Sequence, residues 1–403
     1  MPSSAVPPKS ILHDDRRFAF IHVPKTAGTS LISTLASLVP HQDMLWTLDL
    51  RRLAPQVIGS KKYILGHITF SDVVEFVREP VYIATFFRDP VDRFLSWIDY
   101  CRAQPTEADD RFMSADVRTA KALRLRDFLS KDNLPLLKFW GNRYAVHLAT
   151  RQDDPTLWLF EDPATLARAH ENLQRLDFVG LCESYEQCLG ELLDDIGLRP
   201  PALPKTRENA TGRALVWSPA DHDANRSDDD RVDGDLVLGL KQALAWDYEL
   251  YQTAHERFMA RHPRGYEFAL TTGPSCRRLR LGADEKYVNN PQVDDFVVYG
   301  PYVTLPHGSY SVEFDYRVNP PYGSLLEQLS FAQLTFDVVT AGGTTVFAAN
   351  TVDASNVAHG ADLTQTLRFS LEGPVCNIEF RCRATGGVAT ELRPRVHVKR
   401  LSF

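Results

Sequence analysis

The chain has 403 residues, 44% of them hydrophobic and 24% charged, and a formal net charge of −7. That length fits two or three compact units, and the acidic balance argues against general binding to nucleic acid or to an anionic membrane. No apolar run reaches the roughly 18 residues of a membrane helix, and Met1 to Ser10 lacks the apolar core of a signal peptide, so a chain that is not membrane-spanning is expected. The six cysteines (Cys101, Cys182, Cys188, Cys276, Cys376 and Cys382) show neither CxxC nor Cys/His metal spacing, which favours reduced thiols and no metal.

The first element is an apolar strand, Phe18 to Val23, that breaks at Pro24-Lys25-Thr26-Ala27-Gly28-Thr29-Ser30 and resumes with Leu31, Leu35 and Leu38 at helical spacing. The turn therefore lies at a helix N-terminus, where free backbone N–H groups and the positive dipole end favour an anion. Lys25 adds a charge, and Thr26, Thr29 and Ser30 add hydroxyls. A Walker A loop is excluded, because it needs GxxxxGK[ST] and here Lys25 precedes Gly28. An ordinary ATP loop is thereby disfavoured, while a phosphate site is expected.

Tyr82 to Phe87 repeats the pattern of strand, turn and helix. Asp89 reads as the N-cap, Pro90 suits the first helical position, and Val91, Phe94, Leu95 and Ile98 form a core face. Arg88 then sits at the strand's C-terminal end and Ser96 about two turns into the helix, so both can reach one ligand. Surface pairing of Arg88 and solvation of Ser96 are the plain alternatives.

PKTAGTSL followed by RDPVDRFLS resembles the PAPS-dependent carbohydrate sulfotransferases, in particular the branch of heparan sulfate and chondroitin/dermatan uronyl 2-O-sulfotransferases. The resemblance spans roughly residues 16 to 262. It implies that Lys25, Thr26, Ala27, Gly28, Thr29 and Ser30 hold the 5′-phosphosulfate of 3′-phosphoadenosine 5′-phosphosulfate (PAPS), and that Arg88 and Ser96 hold its 3′-phosphate. Lys62 to Phe70 is similar to the family's second strand, which ends in a His-Gly-His element. Only its second histidine is present, as His67, and Leu65 stands in the place of the first. Lys205, Thr206 and Arg207 resemble a family loop that closes over the nucleotide, and Asp247 with Tyr251 falls in a terminal helix that the family also has. Phe178 to Tyr185 looks like a later strand-to-helix step, with Ser184 and Gln187 as a capping box and Gly197 as a stop.

Sulfuryl transfer needs a base for the acceptor hydroxyl and positive charge at the leaving phosphate oxygen. His67, with an unperturbed pKa of about 6.5, suits the first task. Lys25 suits the second, and Glu183 is the alternative base. His22 is the weaker histidine, because alternation with Phe20 buries it beside the loop. Between Arg102 and Arg143 lie nine basic residues interleaved with Phe128, Phe139, Trp140 and Tyr144. They read either as part of an acceptor cleft, by resemblance, or as solvated helix faces. The Asp-rich stretch Asp221 to Asp235 reads as a surface loop.

After Arg264-Gly265-Tyr266 the composition changes to short alternating runs with turn signals. These run Phe296–Tyr299, Tyr302–Leu305, Tyr310–Val318, Leu329–Val339, Thr344–Ala348, Leu363–Leu371, Val375–Cys382 and Val396–Phe403, the pattern of an antiparallel β-sandwich. Val298 to Tyr310 resembles the opening of lectin-like jelly-roll modules attached to bacterial polysaccharide-modifying enzymes. Tyr299, Tyr302, Tyr316 and Tyr322 are then candidates for stacking on sugar rings, with core filling, dimerisation or scaffolding as rivals.

The expected organisation is a tail (1–15), a P-loop-like parallel sheet flanked by helices (16–265), a linker (266–278) and an all-β, jelly-roll-like sandwich (279–403). The expected function is a cytoplasmic, bacterial-type sulfotransferase that moves a sulfuryl group from PAPS to a hydroxyl of a glycan, glycolipid or polysaccharide precursor, a homo-oligomer being an open possibility. The alternatives are an ATP-dependent kinase and a non-catalytic glycan-binding protein.

Overall fold

The computed structural model describes residues 16–78, 80–104, 111–150, 162–198, 234–281, 284–319, 332–340, 343, 345–373 and 375–401. The chain divides into two units, with the described residues up to Ala254 in the first and those from His255 in the second.

The first unit is built on a five-stranded parallel sheet of β1 (Arg17–Ile21), β2 (Met44–Thr47), β3 (Tyr63–Gly66), β4 (Val81–Phe87) and β5 (Phe178–Leu181), in the order β2-β3-β1-β4-β5. Phe18, Ala19, Phe20 and Ile21 of β1 have no exposed surface, and all seven residues of β4 are buried. Such uninterrupted apolar runs suit strands covered on both faces, as parallel strands are. The covering helices are α1 (Gly28–Leu38), α2 (Pro55–Gly59), α3 (Phe70–Phe76), α4 (Pro90–Ala103), α5 (Arg111–Ala122), α6 (Leu134–Gly141), α7 (Arg143–Ala149), α8 (Pro163–Arg175), α9 (Tyr185–Asp195) and α10 (Gly234–Ala243). The chain then continues in α11 (Ala245–Arg261).

Because β1 is central, with β3 on one side and β4 on the other, the loops leaving these three strands share one edge of the sheet. This is where an open α/β sheet binds its ligands. The register pairs Ile21 with both Gly66 and Thr85, so the first residues past β1 and β3, His22 and His67, become neighbours. Gly66 is required there, since a Cβ would collide with the Thr47 carbonyl of β2. The strand stops at Gly66 rather than running to Phe70, because Thr69 caps α3 in a reciprocal box with Asp72.

The N-cap expected at Asp89 is present, its carboxylate accepting from the Val91 and Asp92 N–H groups at 3.0 and 3.2 Å. The capping box expected at Ser184 is not formed. The chain enters α9 through a 3-10 turn, and Gln187 instead donates to Glu191 at 3.0 Å. Gly197 does stop α9: it adopts φ +74°, with the Leu198 N–H donating to the Leu193 carbonyl at 2.7 Å.

The second unit contains two six-stranded sheets. One holds β7 (Thr271–Thr272), β10 (Asp295–Tyr299), β11 (Pro301–Leu305), β13 (Gln333–Thr340), β14 (Thr345–Asp353) and β16 (Val375–Thr385). The other holds β6 (Tyr266–Ala269), β8 (Arg277–Leu281), β9 (Asp284–Val288), β12 (Gly308–Val318), β15 (Leu363–Leu371) and β17 (Thr390–Leu401). All their pairings are antiparallel, and aromatic rings fill the space between the sheets, Phe314 lying 5.3 Å from Phe336 and Phe369 lying 6.4 Å from Phe380. The stretch read as a linker carries β6 and β7, which join one sheet each. Tyr266 and Phe268, alternating with exposed residues, supply the inward face that makes β6 a strand. Tyr316, a candidate for sugar stacking, is a core residue against Phe336 at 5.1 Å. Tyr322 and the side chain of Tyr302 lie outside the described residues.

Candidate functional site

The turn after β1 takes an unusual backbone path. Lys25 and Ala27 have φ of +70° and +60°, a region that costs a non-glycine residue about 1–2 kcal/mol. The Thr26 hydroxyl stabilises the path from within, donating to the Val23 carbonyl at 2.8 Å, and Thr26 is fully buried. Its hydroxyl thus closes the turn. Ala27 is the N-cap of α1 and supplies no side-chain cap, and the first turn of α1 carries no acidic residue. Left-handed residues before a helix start that lacks a side-chain cap are a backbone arrangement that suits an anion. Thr29 is exposed and Ser30 is buried in the first turn of α1.

Two cations stand beside this turn. The Lys25 ammonium lies 4.7 Å from the centre of the Tyr100 ring of α4, and burial, then the neighbouring Arg88 guanidinium, hold its pKa below the usual lysine value. Neither Lys25 nor Arg88 forms an ion pair among the described residues. Two like charges kept close, neither closed off by an ion pair among the described residues, are a ready place for an anion. The Arg88 backbone is held by the Tyr144 hydroxyl, which accepts from its N–H and donates to its carbonyl, both at 2.7 Å. Ser96 is buried on α4.

His67 leaves β3 on the other side of β1. Its Nδ1 lies 2.7 Å from the His22 carbonyl, and since a carbonyl only accepts, Nδ1 carries the proton and Nε2 keeps a lone pair. Burial, helped by the Arg143 charge, lowers its pKa, against a smaller opposing effect of the His22 hydrogen bond. His67 is therefore neutral near pH 7 and equipped to accept a proton at Nε2. The His22 ring stacks on it with centroids 4.4 Å apart. From α7 come Arg143, whose pKa burial brings down to about 10, and the buried His147, whose Nδ1 donates to the Arg143 carbonyl at 2.8 Å. Burial and the Arg143 charge keep the His147 pKa well below the usual value.

Glu183, the alternative base, is engaged elsewhere: its Oε1 accepts from the Asp89 N–H at 2.8 Å beneath the start of α4. Burial pushes its carboxyl up, and no bond joins it to His67. Tyr251 fills the core, and Asp247 caps α7 through the Tyr144 and Ala145 N–H groups, each at 3.0 Å. Lys205, Thr206 and Arg207 and most of Asp221 to Asp235 lie outside the described residues. Much of the basic stretch is structural. Arg102 donates to the Ala120 and Leu123 carbonyls, Lys121 to the Gln104 carbonyl, and Arg124 pairs with Asp127. Phe128, Trp140 and Tyr144 are core residues. Arg143 is the member of that stretch brought to His67.

The structure thus brings Lys25, Arg88 and His67 to one edge of the sheet and adds His22, Arg143 and His147. His22 was passed over in the sequence because its neighbour His67 is known only from the strand register. No signal in the sequence marks His147. Among the described residues, no group of three or more His, Cys, Asp or Glu side chains is placed to hold a metal ion, and Cys101, Cys182, Cys188, Cys276 and Cys382 are free thiols. No helix among the described residues is long and apolar enough to cross a membrane.

No family model matches the chain, and no curated protein sequence does either. Among solved structures, the C-terminal sandwich is similar to carbohydrate-binding modules. One is the C-terminal CBM6 of a laminarinase from Zobellia galactanivorans, at 11% identity and a TM-score of 0.24, covering 33% of this chain and 98% of that one. Another is a CBM6 from Cellvibrio mixtus lichenase 5A in complex with cellotriose, at 16% identity and a TM-score of 0.23, covering 33% and 93%. A third is the xylan-binding module CBM15, at 10% identity and a TM-score of 0.25, covering 34% and 98%.

Proposed function

We propose that the first unit is a PAPS-dependent sulfotransferase acting on a hydroxyl of a glycan or glycolipid acceptor. The observation that carries this reading is the juxtaposition of two cations that form no ion pair among the described residues, Lys25 and Arg88, with a neutral histidine, His67, whose Nε2 is left to accept a proton. In the reaction the acceptor oxygen forms a bond to sulfur, the bond from sulfur to the bridging phosphate oxygen breaks, and that oxygen keeps the electron pair. The hydroxyl proton passes to His67 Nε2. Lys25 stabilises charge on the phosphate side, a contribution of about 3 kcal/mol for one well-placed donor. Arg88 and Ser96 would hold the 3′-phosphate.

Calorimetric titration with adenosine 3′,5′-bisphosphate, beside magnesium ATP and adenosine 5′-phosphate, tests the nucleotide. Micromolar binding selective for the 3′-phosphate, weakened at least tenfold in Lys25→Ala and Arg88→Ala, is the expected result. A preference for magnesium ATP would replace this reading with a kinase.

A second reading concerns the second unit, as a glycan-binding module whether or not the first unit turns over. On the side of β13 away from the core, the Arg381 guanidinium forms a two-point ion pair with Asp337 at 2.8 and 2.7 Å and lies 5.0 Å from the Phe296 ring centre. An aromatic ring beside a fixed pair of donors and acceptors is a surface on which a sugar can stack and hydrogen-bond. Cellotriose and xylan, printed in the names of the similar modules, are the ligands to try. Affinity electrophoresis in xylan and calorimetry with cellotriose, with Phe296→Ala as control, should show retardation or binding that the variant loses. Unretarded migration in xylan together with no binding of cellotriose would remove this reading.

A further inference from the structure

His22 occupies the seam between the anion turn and the base. Its ring stacks on His67 on one side, and its Cδ2–Nε2 edge rests where a side chain on Gly28 would be, so a Cβ there would overlap the imidazole. Its other nitrogen, Nδ1, is buried and has no hydrogen-bond partner. Lys25 from the turn, His67 from the end of β3 and His147 from α7 are the charged and titratable groups that face the ring. Burial foremost, with His67 and Lys25 adding to it, keeps the imidazole neutral.

A neutral imidazole carries one N–H and one lone pair, and the two placements are not equivalent here. A proton on Nδ1 would be a buried donor with no acceptor, while the Nε2 lone pair would face the anion turn. A proton on Nε2 leaves only an idle lone pair at Nδ1 and turns the edge against Gly28 into a donor. Buried polar atoms without partners are rare enough to need a reason, and an anion in the turn supplies one.

We infer that His22 is an anion-binding residue that donates its Nε2–H to a sulfate- or phosphate-type group held between Gly28 and Lys25. The inference deepens the sulfotransferase reading and shares its site, but it concerns any tetrahedral oxyanion. Neutral donation also fits the place: a third full positive charge beside Lys25 and Arg88 would weaken both, whereas a neutral N–H adds a directed bond without that repulsion. Gly28 follows from the same arrangement, since the ring takes the volume of its side chain.

The test uses the full chain with 15N-labelled histidine, read by long-range 1H–15N spectra during titration with inorganic sulfate and then with adenosine 3′,5′-bisphosphate. The expected result is a His22 ring protonated at Nε2, with that nitrogen shifting as sulfate is added. In His22→Phe, which keeps an aromatic ring against His67 and the backbone carbonyl that holds it, the sulfate dissociation constant should rise about tenfold. The Nδ1-protonated form of His67 should persist in that variant, showing an intact site. A His22 protonated at Nδ1, or an unchanged sulfate constant in His22→Phe, overturns the inference. If the phenylalanine variant fails to fold, the tautomer and sulfate response of the unaltered protein decide alone. A chain that answers to sulfate but not to the bisphosphate loses the PAPS reading and keeps this one.

Discussion

A methyl group on Gly28 would overlap the His22 imidazole, so Gly28→Ala forces either the ring off His67 or α1 away from the sheet. Overpacking of this kind costs about 1–3 kcal/mol. The displaced partner is rigidly held, since the His22 N–H donates to the Gly66 carbonyl at 2.8 Å and its own carbonyl accepts from His67. Adding His22→Ala should therefore restore part of the lost stability, a non-additivity expected of residues in contact. Denaturant midpoints of the two single variants and the double variant check this. Strict additivity would mean that the ring and the glycine do not share the space. Thr26→Val is a second measure at this scale. It deletes the buried bond to the Val23 carbonyl while keeping the shape, and it should cost about 1 kcal/mol while relaxing the left-handed turn.

Among elements, the short helix α7 matters most, because it carries Arg143, Tyr144 and His147 together. Two of its first N–H groups end on the Asp247 carboxylate, whose pKa burial raises to about 7. Asp247→Ala strands both donors in a buried place and should cost about 3 kcal/mol. Asp247→Asn keeps an acceptor and should cost less. Because Tyr144 holds the Arg88 backbone, the alanine variant should also weaken bisphosphate binding, which a calorimetric titration reads directly. The strands and helices bearing Lys25, Arg88 and Ser96 were legible because a continuous apolar run ending at a turn residue is a local signal. The contribution of α7 was not, since Arg143 reaches His67 only through packing between residues far apart in sequence. The missing capping box at Ser184 shows the converse, a local motif that gives way where the chain enters α9 through a 3-10 turn.

Across the whole molecule, the two units respond differently to acid. The composition change near Tyr266 announced the second unit, but β6 and β7 were hidden because strands of four and two residues are too short to show an alternation. In the first unit, the lowered histidines His22, His67 and His147 oppose the raised carboxyls Asp92, pushed up to about 8, and Asp247, at about 7. Histidines with lowered values lose stability on acidification, and carboxyls with raised values gain it, so the two sets act in opposite directions. In the second unit, His255 has a pKa shifted far enough to matter between pH 5 and 8. It is buried at the start of that unit, its ring 6.1 Å from Tyr266, and burial brings it down to about 3. The unfolded chain takes up that proton as pH falls below 6.5, whereas the folded unit does not until about pH 3. The contribution is thus fully present above 6.5 and declines below it, by about 2 kcal/mol at pH 5 at 1.36 kcal/mol per unit. The stability of the second unit against urea should fall by that amount between pH 7.5 and 5, read by hydrogen exchange of its strand amides. His255→Phe should remove most of the pH dependence, and an undiminished dependence in the variant would place the acid-sensitive group elsewhere.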